Sequence, residues 1–536
     1  MNATCPHHSW ILYSLTLTPT SLGLEGPGLL SASEICSFNM PAIDDQLLLI
    51  NGEDAAAADG QTFTVVNPMT GLKLYDAAAA SIPDYEAAIE GAHVALDTWA
   101  SHSATSRRKI LLKAADLIEG ERYAQEAMEL MSQEISAPKN WCMTNIKGTA
   151  GFFREAASLA TYIRGEVVPV ERPDVTGFIE RRPVGVILAI SPWNAPMILT
   201  ARAMATPLIC GNTVVLKPSE FSPRSQGLVI RALVEAGLPA GCVQYLPTSP
   251  TDASEVTEYA IKHPHVRKVN FTGSDRVGRI IAGIAATQLK QCVLELGGKA
   301  PVIILEDADI LKAVEAVVYG AFAFNGQVCM STERVIVSRS IYAEFRSLLL
   351  HRVGQIRSGN HLVADSDTDV LVTGLFTPSS AQRVMDLIRD ALTAGARLIA
   401  GDMSISGPNQ TILQPHVLED VEPSMRIFQE ETFAPVLTLS VFETEERAVT
   451  LANSSDYSMV ASVFSRDTMR ALRIARQIRS GTCHVNSPTV YMESTLPQGG
   501  IGGGSGYGRF GGMAGVEEFT HRQIITLAEP AGSHSL

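Results

Sequence analysis

Two side chains in this sequence have the types and spacing for thiol chemistry. Cys329 lies in Asn325-Gly326-Gln327-Val328-Cys329-Met330, and Glu295 lies 34 residues earlier, in Leu294-Glu295-Leu296-Gly297-Gly298-Lys299. A thiolate attacks an electrophilic carbon far better than a thiol, and a carboxylate beside the resulting acyl–sulfur bond can activate the water that cleaves it. Each residue alone has a blander reading: one of eight cysteines as a small buried hydrophobe, a glutamate as a solvated surface charge. The glycine-rich, apolar flanks and a third segment shift that balance. Ile190-Ser191-Pro192-Trp193-Asn194-Ala195-Pro196 carries two prolines that fix the backbone around Asn194, whose amide can donate to an oxyanion.

The elements needed to hold these groups follow from pattern. From about Asn51, short β-branched runs alternate with amphipathic helical stretches, the signature of βαβ units and a parallel sheet. Helices are predicted near Pro83 to Trp99, Ser106 to Glu121, Ala124 to Ser136 and Trp141 to Arg164. Strands are predicted at Gly185 to Ser191, Thr213 to Lys217, Val243 to Leu246 and Val266 to Thr272, separated by helices near Pro196 to Cys210 and Pro223 to Ala236. The last of these strands runs into Gly273-Ser274 and a helix starting near Asp275, which is a dinucleotide-fold rhythm. A second α/β block follows Gly297-Gly298, with strand Val302 to Leu305, helix Ile310 to Phe324 and strand Val335 to Ser338. It continues with helices near Tyr342 to Ile356 and Ser380 to Ala394, and strands at Val436 to Phe442, Met459 to Phe464 and Thr482 to Asn486. Lys217 closes a β-rich run and precedes Pro218, placing it at a strand's carboxyl end, where doubly wound sheets bind ligands.

A chain of 536 residues with 46% hydrophobic content is expected to form two or three domains. The net charge, 42 − 56 = −14, has no block of like charges and argues against nucleic acid or an anionic membrane as partner. The cysteines are scattered without a CxxC pair, which suits reduced thiols and a cytoplasmic location. Trp10 to Leu17 is apolar, but the first basic residue is Lys73, so residues 1–42 read as a disordered extension rather than a targeting signal, with Met40 a possible start. The long apolar stretch Val184 to Leu216 is broken by Pro192, Pro196, Arg202 and Pro207, so a buried strand, loop and helix is expected instead of a membrane span.

Pro192-Trp193-Asn194, Lys217-Pro218-Ser219-Glu220, Phe271-Thr272-Gly273-Ser274, Leu294 to Lys299, Gly326-Gln327-Val328-Cys329, Glu431-Thr432-Phe433 and Ser505-Gly506-Tyr507-Gly508-Arg509 resemble, in order and spacing, motifs of the aldehyde dehydrogenase superfamily, over roughly residues 45 to 530. Cys329 to Arg334 and Cys483-His484-Val485-Asn486 look most like the salicylaldehyde, vanillin and benzaldehyde dehydrogenase group. The resemblance implies an α/β fold with a Rossmann-type dinucleotide-binding domain (43–165 and 182–296), a catalytic α/β domain (297–518) and oligomerisation strands (166–181 and 519–530). A strand near Ile524 to Leu527 would pair with the hairpin near Val167 to Arg181 or with a neighbour's, giving a homodimer or homotetramer.

The resemblance also implies roles. Cys329 attacks an aldehyde carbon, the Asn194 amide and the Cys329 backbone N–H stabilise the oxyanion, and Glu295 is the base that hydrolyses the thioester. Lys217 and Glu220 are expected at an adenosine ribose, Ser274 near the pyrophosphate, and Glu431 with Phe433 at the nicotinamide end; Trp193, Gly273 and Leu296 join the expected cofactor contacts. The charge of Glu220 would repel a 2′-phosphate, favouring NAD over NADP. The expected substrate is an apolar, aromatic aldehyde. Acyl transfer to coenzyme A is the nearest alternative, disfavoured by a retained base; a semialdehyde dehydrogenase and an inactive structural homologue are the others.

Two features are set aside. Gly506-Tyr507-Gly508-Arg509-Phe510-Gly511 matches GxGxxG but lacks a preceding strand and a following βαβ unit. His263 and His265 are two apart on an expected loop, and no Cys or carboxylate is expected to complete a ligand set, so no metal is expected. Gln498, Ala434 and Ser458 depart from the family pattern; Gln498 puts the geometry of the glycine-rich loop in question, and the other two add side-chain bulk at usual glycines, which would strain the backbone if φ is positive there.

Overall fold

The computed structural model describes residues 44–362 and 372–528. The expected extension, 1–42, and the last two residues of the 519–530 segment lie outside the described residues.

Two sheets form the frame. The larger has eight strands in the order Gly506–Tyr507, Gln291–Glu295, Val266–Thr272, Val186–Ile190, Thr213–Lys217, Val243–Tyr245, Leu48–Ile50 and Glu53–Ala55. The five from Gln291–Glu295 to Val243–Tyr245 are mutually parallel. Val186–Ile190 and Thr213–Lys217 are buried at every position, as strands covered on both faces must be. The period of two sorts their side chains. Ile187 and Ala189 pack into the cluster containing helix Pro196–Ile209, while Val186, Leu188 and Ile190 face the cluster containing helix Ile82–Ser101.

The order of these strands creates a crevice. The chain runs from Val186–Ile190 outward through Thr213–Lys217 to Val243–Tyr245, then returns to the other side at Val266–Thr272. Such a switch point opens a crevice beyond the carboxyl ends of the two strands flanking it. Ser191 to Asn194 leave one of these ends, Gly273 and Ser274 leave the other, and Glu295 closes the next strand.

The second sheet has seven strands, in the order Arg397–Ala400, His416–Glu419, Val436–Phe442, Thr332–Ser338, Ala300–Ile304, Val460–Phe464 and Thr482–Val485. All pairings but the first are parallel. Cys329 sits in the loop entering Thr332–Ser338. The glycine-rich stretch, expected within this second block, sends Gly506–Tyr507 across to the first sheet, where it pairs with Leu294 and Glu295. A third sheet joins Thr520–Ala528, antiparallel along its whole length, to Val175–Pro183, which also pairs with Glu166–Val168. The strand expected near Ile524 to Leu527 therefore pairs with the hairpin of its own chain.

Several expectations need correction. The helix predicted to reach Phe324 ends at Phe322, because Phe324, Asn325 and Gly326 take positive φ values of 45°, 61° and 69°. Strand Gln291–Glu295 and helices Ala253–Lys262, Glu445–Asn453 and Thr468–Ala475 were not anticipated. No helix among the described residues is long and apolar enough to cross a membrane.

Candidate active site

Cys329 and Glu295 meet where the two large sheets approach. The Cys329 thiol points at Glu295 Oε1 across 4.0 Å. The approach depends on glycine: a Cβ on Gly298 would lie 1.9 Å from the Cys329 carbonyl oxygen. On the other flank, Gly326 turns the chain with φ +69° where a Cβ would strike the Ala434 carbonyl at 2.2 Å. Buried Asn325 secures this left-handed turn, its amide donating to Thr373 Oγ1 at 3.0 Å and Gly374 O at 2.9 Å while its Oδ1 accepts from Thr373 N at 2.6 Å.

Asn194 joins the same centre. Its Nδ2 donates to Gln327 O at 3.0 Å, two residues from Cys329, and its carbonyl accepts from Trp141 Nε1 at 2.8 Å. The amide carries two hydrogens, so one donor remains beyond the Gln327 bond. The structure thus brings Cys329, Glu295 and Asn194 together.

The electrostatics are set by burial. Removal from water raises the Cys329 thiol well above its ordinary range, the neighbouring charge of Glu295 raises it further, and Arg202 works in the opposite sense. The side chains of Arg202 and Glu295 form an ion pair, 2% and 5% exposed. Arg202 Nη1 abuts Glu295 Oε2, yet Oε2 accepts no directed hydrogen bond, so the attraction is Coulombic. Removing one partner from a buried pair typically costs about 3–5 kcal/mol, because the other charge is left uncompensated.

The residues expected at a cofactor line the crevice and its neighbour. Lys217 is buried at the end of its strand; burial lowers its pKa, and its Nζ makes one long contact, 3.5 Å to Pro218 O. Its donors are therefore largely unspent, which fits the hydroxyls of a ribose. Glu220 lies three residues on, with Ser219 Oγ donating to it at 3.4 Å. Ser274 caps the helix Asp275–Thr287, accepting from Val277 N at 3.4 Å. Gly273 N donates to Glu295 O at 3.1 Å, and Leu296 N to Ser505 O at 3.2 Å. A helix N-terminus facing the crevice mouth favours an anionic group.

At the far end, Glu431 Oε1 accepts from Gly298 N at 2.7 Å, and burial followed by the charge of Glu333 pushes its carboxyl up to about 8. Buried Lys299 pairs with Glu333, whose carboxylate accepts from Thr432 N at 3.0 Å and Phe433 N at 3.3 Å. Phe433 has φ +53° and meets Trp193 edge-on at 5.9 Å, while Trp193 stacks on Phe376 at 4.3 Å. Glu431 and Phe433 are thus tied to the segment carrying Glu295, whereas Lys217 and Glu220 stand apart at the end of a strand three places along the sheet.

A cavity bordered by Glu295, Met330, Met459, His484, Tyr491 and Leu496 opens beside Cys329. His484 Nε2 has no hydrogen-bond partner among the described residues, burial lowers its pKa, and its ring meets Tyr491 edge-on at 5.4 Å. Neither Arg202 nor His484 was singled out as a site residue from the sequence. In the sequence Arg202 is legible only as a charge that breaks the apolar stretch Val184 to Leu216.

Three further expectations change. His263 does meet carboxylates, its Nε2 lying 3.1 Å from Glu86 Oε2 and 3.8 Å from Glu90 Oε1; these come from a helix distant in sequence. Glu86 also accepts from Tyr259, and His263 Nδ1 accepts from His265 N at 3.3 Å, so the group is bonded internally. Ala434 and Ser458 do not adopt positive φ, so neither is strained. Ser458 instead bonds the glycine-rich loop, its Oγ donating to Gly502 O at 2.8 Å and accepting from Ile501 N at 3.1 Å. Gln498 pairs its backbone with Phe510 and donates from Nε2 to Glu493 O at 3.0 Å.

The chain belongs to the aldehyde dehydrogenase family, whose sequence profile matches residues 55–525, and is accordingly an oxidoreductase of the aldehyde-oxidising type. It is 44% identical to a vanillin dehydrogenase of Pseudomonas fluorescens over 90% of this chain and 98% of that protein. It is 41% identical to a salicylaldehyde dehydrogenase of Pseudomonas putida over 90% and 97%. A crystal structure of salicylaldehyde dehydrogenase from Pseudomonas putida G7, complexed with salicylaldehyde, superposes with a TM-score of 0.88 at 39% identity, covering 92% of this chain and 100% of that one.

Proposed function

We propose that the protein oxidises aromatic aldehydes to carboxylic acids with NAD. The observation carrying this reading is the Cys329 thiol directed at Glu295 Oε1 across 4.0 Å, with the Asn194 amide bound two residues upstream of the thiol. The Cys329 sulfur, its thiol proton lost to solvent, adds to the aldehyde carbon. The Asn194 amide and the Cys329 N–H donate to the oxyanion, a contribution of about 10²- to 10³-fold in rate per donor. When bound, NAD supplies the hydride acceptor, at the end of the crevice marked by Glu431 and Phe433. The thioester left on Cys329 is then hydrolysed by water that Glu295 deprotonates.

The apolar walls of the cavity, Met330, Met459, Tyr491 and Leu496, suit an aromatic ring, and the names of the vanillin and salicylaldehyde relatives agree. Glu220 supports NAD over NADP, since its charge opposes a 2′-phosphate. The proposed division into domains, with 166–181 and 519–530 as assembly strands, gains support from the exposed apolar side chains of the third sheet. Val167, Ile524 and Leu527 are 70%, 72% and 63% exposed there, and a homodimer or homotetramer would cover them. The six described cysteines are all free, in keeping with a cytoplasmic setting. The test is the rise in NADH absorbance with benzaldehyde, salicylaldehyde and vanillin; no signal across a broad aldehyde panel would refute the reading.

A further inference from the structure

We infer that Arg202 is a positioning residue for the hydrolytic half of the reaction: it holds the far oxygen of Glu295 and leaves the near oxygen to exchange protons at Cys329. The inference rests on the proposed function, because it assigns a partner to the base named there. The two oxygens of Glu295 have different neighbours. Oε2 abuts the Arg202 guanidinium, and Oε1 faces the Cys329 sulfur at 4.0 Å.

Arg202 is itself held from two further directions. Its Nη2 donates to Thr272 Oγ1 at 3.0 Å, and its guanidinium lies over the Phe510 ring at 4.5 Å from the centroid. Thr272 ends the strand beside that of Glu295, so one strand end fixes the arginine that orients the carboxylate on the next. The cation also projects from helix Pro196–Ile209, whose residues are all buried. A guanidinium stays charged under these conditions and keeps a planar donor array, which a flexible ammonium would not reproduce fully.

The charge environment of Glu295 explains the need. The titratable groups around it are Arg202, Cys329 and, further off through their shared influence on the thiol, Glu431; His484 and Glu493 line the adjoining cavity. Lys299 is engaged by Glu333. Of the groups acting on the Cys329–Glu295 pair, Arg202 brings the positive charge. A carboxylate buried beside acidic neighbours without a cation takes up a proton and ceases to be a base.

In the hydrolytic step, water gives a proton to Glu295 Oε1 and its oxygen bonds the acyl carbon. The carbon–sulfur bond then breaks with its electron pair on Cys329, which recovers the proton from Glu295. Arg202 takes no part in these transfers; it fixes where and in what charge state the carboxylate stands.

The experiment compares wild type with Arg202→Met and Arg202→Lys, following NADH with benzaldehyde in the first turnover and at steady state from pH 6 to 9. Arg202→Met is expected to complete the first turnover and then turn over at least tenfold more slowly at pH 7. Its acid limb in kcat should move upward by one pH unit or more, because the carboxylate pair at the site loses its cationic neighbour. Arg202→Lys should restore most of the limb. An unshifted limb in Arg202→Met, whether or not kcat falls, overturns the inference, as does a lysine variant no better than methionine. Should the methionine variant fail to fold, Thr272→Val carries the test, with a smaller upward shift expected and no shift overturning it. Wild type that forms no NADH with any aldehyde would sink the proposed function itself, a result distinct from these.

Discussion

Glu431 and Gly298 are joined by a 2.7 Å hydrogen bond from the glycine N–H to the carboxylate, three residues beyond Glu295. The loop at the proposed nicotinamide end is thereby fastened to the segment carrying the base. Because burial and Glu333 push the Glu431 carboxyl up to about 8, most molecules hold it protonated at neutral pH before anything binds. If its carboxylate accepts ribose hydroxyls, NAD affinity should rise as pH increases through about 8 and level off above it. Titration of intrinsic fluorescence with NAD from pH 6 to 9 measures this, and Glu431→Gln should flatten the dependence; a pH-independent wild type would remove Glu431 from the binding equilibrium.

Cys329→Ala should abolish aldehyde oxidation while leaving NAD binding in place. Glu295→Gln should give a first turnover of NADH followed by slow release, because hydrolysis loses its base. Rapid-quench mass spectrometry should then find acyl groups on Cys329. An unchanged steady-state rate in Glu295→Gln is incompatible with the role proposed.

Glu220→Ala removes the charge expected to oppose a 2′-phosphate. The ratio of kcat/KM for NADP to that for NAD should rise by about tenfold, equivalent to about 1.4 kcal/mol. A constant ratio would show that discrimination lies elsewhere in the crevice.

Ser458→Gly deletes an oxygen that bonds both Gly502 O and Ile501 N. A typical hydrogen bond contributes about 0.5–1.5 kcal/mol net, so the variant should be less stable by about 1–3 kcal/mol. The thermal midpoint, followed by calorimetry, should fall. A higher midpoint would restore the view that serine strains this position.

Ile524→Glu combined with Leu527→Glu places one charge on each face of the exposed third sheet. Light scattering after size exclusion should show a smaller assembly than wild type. The same mass for both would mean that this sheet is not the contact between copies.

The residues of the candidate site were more legible in the sequence than the geometry that brings them together. Cys329, Glu295 and Asn194 stand in apolar, glycine- or proline-marked segments, and they do converge. The strands Val186–Ile190 and Thr213–Lys217 were readable because burial on both faces makes them continuous apolar runs. Strand Gln291–Glu295 has an exposed glutamine at one end and a catalytic candidate at the other, and was missed. The left-handed turn at Phe324 and Asn325 escaped because neither residue advertises positive φ as glycine does; it is imposed by the bonds of Asn325 to Thr373 and Gly374. Arg202 and Glu295, like His263 and Glu86, are far apart in sequence, and no local pattern announces such a pair.

The antiparallel pairing of Thr520–Ala528 with Val175–Pro183 also sets a timetable for synthesis. The hairpin emerges early, but its partner strand begins 520 − 183 = 337 residues later, a delay of roughly 20 to 70 s at ordinary translation rates. Throughout that interval the nascent chain presents an open β edge, available to any neighbouring strand. Polysomes carrying several unfinished copies would bring such edges close together, so premature association between growing chains is the hazard this topology must survive.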